Sequence, residues 1–338
     1  MFKSSHARRF KSAHNSAVYH CISRTINGEK LFGDAEKEML RKHLLQVAEF
    51  SGVQLITYAM MSNHFHVLVR IPEQGTISDA ELVRRYKALY PSPTPHRQVH
   101  IDVMAEILKA NGEDAKKLRE SLLRRMNDVS EFMATFKHRF AIWFNRSHKR
   151  FGHLWSERFT STIVEGGGHF ALQMVAAYID LNPVRAGLAK DPKDYRFCGY
   201  AEALAGNKAL IRGLQIAVNS EGQVLNTDEK ILSTYRLRLF GKGVNAKRGD
   251  PKAARISAED YAKTAATDGE LSPAERLHHR VSWFTRGLVI GSSAFVSEHL
   301  ERYRKSTRRR QHLAPRPFEE KDTSSSSWNG LFSLRRHG

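Results

Sequence analysis

Cysteine is scarce in this chain: two residues, Cys21 and Cys198, occur among 338. That excludes a disulfide framework and any Cys-x-x-Cys zinc motif, and it fits a reducing compartment. No apolar run approaches the roughly eighteen residues of a membrane-spanning helix. The basic opening stretch M-F-K-S-S-H-A-R-R-F-K leads into no apolar segment, so a secretory signal is not expected. A Gly-x-x-x-x-Gly-Lys phosphate loop is missing, and with it the expectation of a nucleotide cofactor. Acidic residues are the last deficit. Asp and Glu number 35 against 54 Lys and Arg, a formal net charge of +19. Such a balance favours a polyanionic partner, nucleic acid first, with a ribosomal or membrane surface as the other fits. A cytoplasmic, nucleoid-associated location is the matching expectation.

What is present is a globular chain with additions. Hydrophobic residues make up 41%, enough for a core, and the length predicts two domains. Ala17 to Thr25 alternates as a first strand, and Asn27-Gly28 turns the chain. Asp34 opens a helix whose apolar residues (Met39, Leu40, Leu44, Val47, Ala48) recur at helical spacing, and Gly52 closes it. Val53 to Met61 and His64 to Ile71 are two strands in close succession, hence an antiparallel hairpin. A basic helical insertion covers about residues 77–125, interrupted at P-S-P-T-P, where alternating prolines demand extended backbone. One long helix then runs to Phe144, a turn at Phe151 to Trp155 follows, Arg158 to Val164 is a fourth strand, and His169 to Leu181 is a helix. Strand, helix, strand, strand, helix, strand, helix is the order of an α+β, ferredoxin-like split β-α-β antiparallel sheet with helices on one face. The expected organisation is a domain over 1–205, a helical accessory domain over 206–304 and a basic, disordered tail over 305–338. Helices at Ser257 to Thr264 and Ser272 to Trp283, and the low-complexity run Ser324 to Ser327, belong to the last two parts.

The chemistry starts at His64-Phe65-His66. Side chains alternate along a strand, so both imidazoles share one face while Phe65 points to the other. Two imidazoles on a rigid face make half of a divalent metal site. Tyr178 and Asn182 stand four apart on the helix that ends near Leu181, which puts them on one helical face. Taken singly, an H-x-H pair is compatible with packing, a helical tyrosine with core, and an asparagine before proline with a helix end.

Four stretches occur in one order: M-S-N-H-F-H-V-L-V, W-S-E-R-F from Trp155, Y-I-D-L-N-P-V-R-A-G-L from Tyr178, and D-Y-R-F-C-G-Y near Tyr195. Together, over about residues 10–205, they resemble the single-tyrosine HUH transposases, and within them the REP-associated tyrosine transposase (RAYT) group. The resemblance implies the HUH endonuclease fold, His64 and His66 as metal ligands, Tyr178 as the nucleophile and Asn182 as third ligand. At the Asn182 position many relatives carry Gln or His, which makes it the weakest part of the match. A nitrogen and oxygen donor set without thiolate suits Mg²⁺ or Mn²⁺. The implied activity is single-strand DNA cleavage and strand transfer through a 5′-phosphotyrosine, on single-stranded or hairpin DNA, by a monomer or homodimer. Arg158 and Arg185 lie inside the motifs and are the candidate DNA-binding residues. Tyr195 and Tyr200 lack an Asn four residues on and read as structural. A DNA-hairpin-binding protein with a vestigial site is the alternative, and a metal hydrolase that does not need Tyr178 is a third reading.

Overall fold

In the computed structural model, the described residues are 10–12, 16–92, 98–167, 170–219, 224–240, 284, 287–306, 313–317 and 330–335. The chain is a mixed α+β protein built on a seven-stranded, mostly antiparallel sheet. In chain order the first elements are β1 (Ala17–Arg24), α1 (Asp34–Ser51), β2 (Gln54–Met60) and β3 (His64–Ile71). The insertion is three helices, α2 (Asp79–Leu89), α3 (Ile101–Ala110) and α4 (Glu113–Leu123), packed on one another and, through α2, on α1. Next come α5 (Val129–Ser147), β4 (Thr160–Val164), α6 (Phe170–Asp180) and the single turn α7 (Asn182–Arg185). The chain continues through α8 (Gly199–Leu204), α9 (Lys208–Val218) and α10 (Asp228–Phe240). It ends with β5 (Gly287–Gly291), α11 (Ser293–Ser306), β6 (Pro315–Pro317) and β7 (Phe332–Arg335).

Local chemistry accounts for the boundaries. The Glu36 carboxylate accepts from the Gly33 N–H at 2.9 Å and closes the first turn of α1, and Gly52, at φ 70°, ends that helix in the left-handed region only glycine adopts freely. Asp128 accepts from the N–H groups of Ser130 and Glu131 at 2.7 and 3.0 Å and so starts α5.

The strand order is β2-β3-β1-β4-β5-β7-β6, with β4 and β5 parallel and the other neighbours antiparallel. β1, β2 and β3 are buried along almost their whole length, and strands of that kind need cover on both faces. Phe65 meets Phe136 of α5 and Trp155 on one face. There α1 and α5 supply the helical layer that the strand order predicts. The opposite face, which carries His66 and Thr57, is covered by α6: Thr57 donates to Asp180 at 2.8 Å. α9 joins it there. A Cβ on Gly213 would lie 2.8 Å from Ile56 Cα and closer still to the Leu55 carbonyl, so α9 runs against the β2 backbone.

Beyond residue 206, α9 is therefore packed onto β2 as well as onto α10. Three strands, β5, β6 and β7, also come from stretches that the sequence pattern assigned to a helical accessory domain and to a disordered tail. G-L-V-I-G is a short buried run without helical or alternating period, which periodicity alone does not distinguish from a helix fragment. The expected helices over 257–264 and 272–283, the start of the α6 helix at His169, the Ser324 to Ser327 run and most of P-S-P-T-P lie outside the described residues.

The close approach of α9 gives a direct check. Gly213→Ala is expected to cost about 1–3 kcal/mol of stability by overpacking, measured as a lower urea midpoint at unchanged slope. A shift within about 0.5 kcal/mol, the range of an ordinary surface change, would show that α9 does not press on β2.

Candidate active site

Antiparallel pairing brings five side chains of β1 and β3 onto the face beneath α6. Along β3 these are His64 and His66. Opposite them on β1, in register, stand Arg24 beside His64 and Ile22 beside His66, with His20 one step further beside Leu68. The His64 and His66 ring centroids are 5.1 Å apart. His66 is 1% exposed, and its Nδ1 lies 2.9 Å from His20 Nε2. His64 is partly exposed, and its Nδ1 lies 2.7 Å from Asn63 Oδ1. Both rings thus have Nδ1 engaged, which is how a ligating imidazole is held when Nε2 is the donor atom.

Tyr178 descends from α6 onto this pair. Its ring centroid is 5.7 Å from that of His66 and 6.1 Å from that of His20, both nearly edge-on. The chain stays helical from α6 through Leu181 into α7, with the Leu181 N–H on Ala177 O and the Arg185 N–H on Leu181 O. Positions 178, 182 and 185 consequently share one side. The Arg185 guanidinium lies over the Tyr178 ring at 5.1 Å. Asn182 is 9% exposed, and its Nδ2 donates back to the Tyr178 carbonyl at 2.9 Å and to that of Ile179 at 3.4 Å. That bond anchors the amide to the helix; the Asn182 Oδ1 is the ligand atom left to it. Arg158 stands apart, exposed in the loop before β4.

Two participants were not singled out from the sequence. His20 was read only as part of an alternating strand, and registering β1 against β3 is what reveals it. Phe284 was placed in no motif, yet its ring stacks on Tyr178 at 4.5 Å and its carbonyl oxygen lies 3.0 Å from His20 Nδ1. Tyr178 is consequently 1% exposed, and its hydroxyl makes no hydrogen bond of ordinary geometry among the described residues. Burial pushes its pKa up, opposed by the nearby Arg185 guanidinium and Asn182 amide. Burial also lowers the histidines. His20 falls to about 4, His64 to about 4 with help from the Arg24 charge, and His66 well below its ordinary value. All three imidazoles are neutral near pH 7.

Against these positions, residues 13–93 match the family described as "Transposase IS200 like". This stretch is part of an IS200-like transposase domain. The matched stretch contains His20, Arg24, His64 and His66; Tyr178, Asn182, Arg158 and Arg185 fall beyond it. No curated protein matches the chain. A solved structure described as "Structure of the REP associates tyrosine transposase bound to a REP hairpin" is similar over 66% of this chain and 94% of that one, at 15% identity and a TM-score of 0.38. A likeness that distant carries no argument here.

IS200-like transposases generally use a divalent ion. Among the described residues no three His, Cys, Asp or Glu side chains are grouped to hold a metal. Two neutral imidazoles with Nδ1 already partnered do fit an ion that keeps open positions for water and phosphate oxygen. No described helix is long and apolar enough to cross a membrane.

The buried histidines make stability pH-dependent. A histidine whose pKa drops on folding, as His43 also does from 6.5 to about 4 through burial and the charges of Arg139 and Lys42, binds fewer protons folded than unfolded between those values. Its contribution is present above the unfolded value and lost as the pH falls toward the folded one. Asp180, raised from 3.8 to about 6 by burial, acts in the opposite sense. Four histidines outweigh one carboxylate. The metal-free protein should therefore unfold at lower urea concentration at pH 4.5 than at pH 7; an equal or higher midpoint at pH 4.5 would contradict their burial.

Proposed function

We propose that the protein is a divalent-metal-dependent, single-strand DNA endonuclease and strand transferase that acts on hairpin-forming DNA through a 5′-phosphotyrosine. The observation that carries this reading is the placement of the Tyr178 ring nearly edge-on against His66, beneath the Arg185 guanidinium. The IS200-like segment and the charge of +19 support DNA as the partner.

His64 and His66 would hold Mg²⁺ or Mn²⁺ through Nε2, with the Asn182 carboxamide oxygen as the third protein ligand. Such an ion, when bound, would supply Lewis-acid polarisation of the scissile phosphate. Tyr178 Oη attacks phosphorus as the P–O3′ bond breaks. The phenolic proton passes, in net balance, to the departing O3′, leaving a 5′-phosphotyrosine and a free 3′-OH. The phosphodiester energy is kept in that bond, so a 3′-OH can attack it and rejoin strands without a nucleotide cofactor. Arg185 and Arg24 supply positive charge where phosphoryl oxygens gain negative charge, and their own charges are fixed before the reaction. Because the Tyr178 hydroxyl is buried, a phosphate reaches it only once a covering side chain is displaced.

The strand also needs a path to the site. The loop from Lys149 to Arg158 lies along the end of β1, with the Ile26 N–H on Leu154 O and the Ser156 N–H on Arg24 O. Phe151 there is 94% exposed and is flanked by Lys149 and Arg150, with His153 and Arg158 further along. An exposed ring among cations is a platform on which a base stacks while the backbone follows the charge. The burial of Tyr178 favours one second reading, hairpin binding without cleavage.

Incubation with labelled hairpin-bearing single-stranded DNA and Mn²⁺ separates the readings. A covalent protein–DNA adduct is expected from the unaltered protein and none from Tyr178→Phe. Cleavage that survives this change overturns the phosphotyrosine step, and binding without any cleavage supports the second reading. Arg158→Ala should weaken binding and reduce the slope of log K against log salt by roughly 1. An unchanged slope removes Arg158 from the phosphate contacts.

A further inference from the structure

The hydrogen bonds behind His66 run in one direction, and the direction is fixed by its far end. A carbonyl oxygen only accepts, so the 3.0 Å contact between His20 Nδ1 and Phe284 O requires the His20 proton on Nδ1. A neutral imidazole carries one N–H, so His20 Nε2 is left with a lone pair. At 2.9 Å from it, His66 Nδ1 must donate, which places the His66 proton on Nδ1 and bares Nε2. The buried pair has no solvent through which to exchange these roles: His20 and His66 are each 1% exposed.

We propose that His20 is a positioning residue that locks His66 in the Nδ1–H tautomer and so presents His66 Nε2 as the metal-binding nitrogen. The inference rests on the metal reading of His64 and His66 given above. His20 touches neither metal nor DNA. It performs for His66 the office that the Asn63 carboxamide oxygen performs for His64, at 2.7 Å, and it does so with a second histidine whose own proton is claimed by the main chain at Phe284. Backbone from beyond residue 206 is thereby part of what orients a ligand on β3.

The test uses the full-length protein and two substitutions. In His20→Gln the side-chain amide oxygen stands close to where His20 Nε2 was and still accepts from His66 Nδ1. In His20→Leu no acceptor remains. Mn²⁺ affinity, measured by titration calorimetry without DNA, should fall about 10- to 100-fold in His20→Leu, the usual cost of losing an outer partner of a ligand, and stay within a few-fold in His20→Gln. In parallel, ¹⁵N-histidine NMR of the metal-free protein at pH 7 should show His66 protonated at Nδ1 in the unaltered chain and in His20→Gln. His20→Leu should release that preference while its thermal unfolding stays cooperative. A His66 proton on Nε2 in the unaltered protein overturns the proposal, as does a folded His20→Leu that binds Mn²⁺ normally. Equal weakening in both variants also overturns it, because the site was then only packed by His20. If the unaltered protein binds no Mn²⁺, the metal reading fails, and the NMR tautomer still decides whether His20 orients His66.

Discussion

A single buried carboxylate sets the position of the reacting helix. Asp180, at the end of α6, accepts from Thr57 on β2 at 2.8 and 2.9 Å, from the Tyr235 hydroxyl on α10 at 2.5 Å and from the Tyr200 N–H on α8 at 3.1 Å. A carboxylate out of water is tolerated only when its oxygens are satisfied in this way. Those donors come from three elements, one of them beyond residue 206. Asp180 stands two residues after Tyr178, so the height of the tyrosine above the sheet is fixed by the same contacts that join the later helices to the strands.

The face beneath that helix is polar in a particular manner. Its imidazoles are neutral and their protons are directed, while the positive charge sits on Arg24 and Arg185 at the edges. This separates two tasks. Neutral nitrogens can ligate a cation, whereas the guanidinium groups can meet phosphate. Were the histidines charged, they would repel the ion and add to the charge already carried by the arginines. Burial under α6 and Phe284 is what keeps them neutral, and it is also what closes Tyr178 off from solvent in this structure.

How much of this was legible from the sequence follows from the range of each interaction. The H-x-H face and the 178, 182, 185 side of a helix depend on periods of 2 and about 3.6, and those are local properties. The order of elements along the chain through β4 follows from the same local patterns. His20 is different, because only the pairing of β1 with β3 shows that it points at His66. Phe284 is further still, being one residue from a distant stretch without a motif. Strand β5 escapes because a short buried run carries no period, and β7 because its four residues lie in a stretch that reads as a low-complexity tail. Arg158 and Arg185 looked equivalent in sequence, each inside a motif. The helix carries Arg185 to the tyrosine, and the loop leaves Arg158 at the surface.

The central claim is that β3 and α6 build one metal-assisted site around Tyr178. The most direct measurement is a crystal structure of the full chain soaked with Mn²⁺, read by anomalous diffraction. One anomalous peak bonded to Nε2 of both His64 and His66, on the side facing Tyr178, is the predicted result. A peak bound elsewhere, or bonded through Nδ1 of His66, would contradict the account.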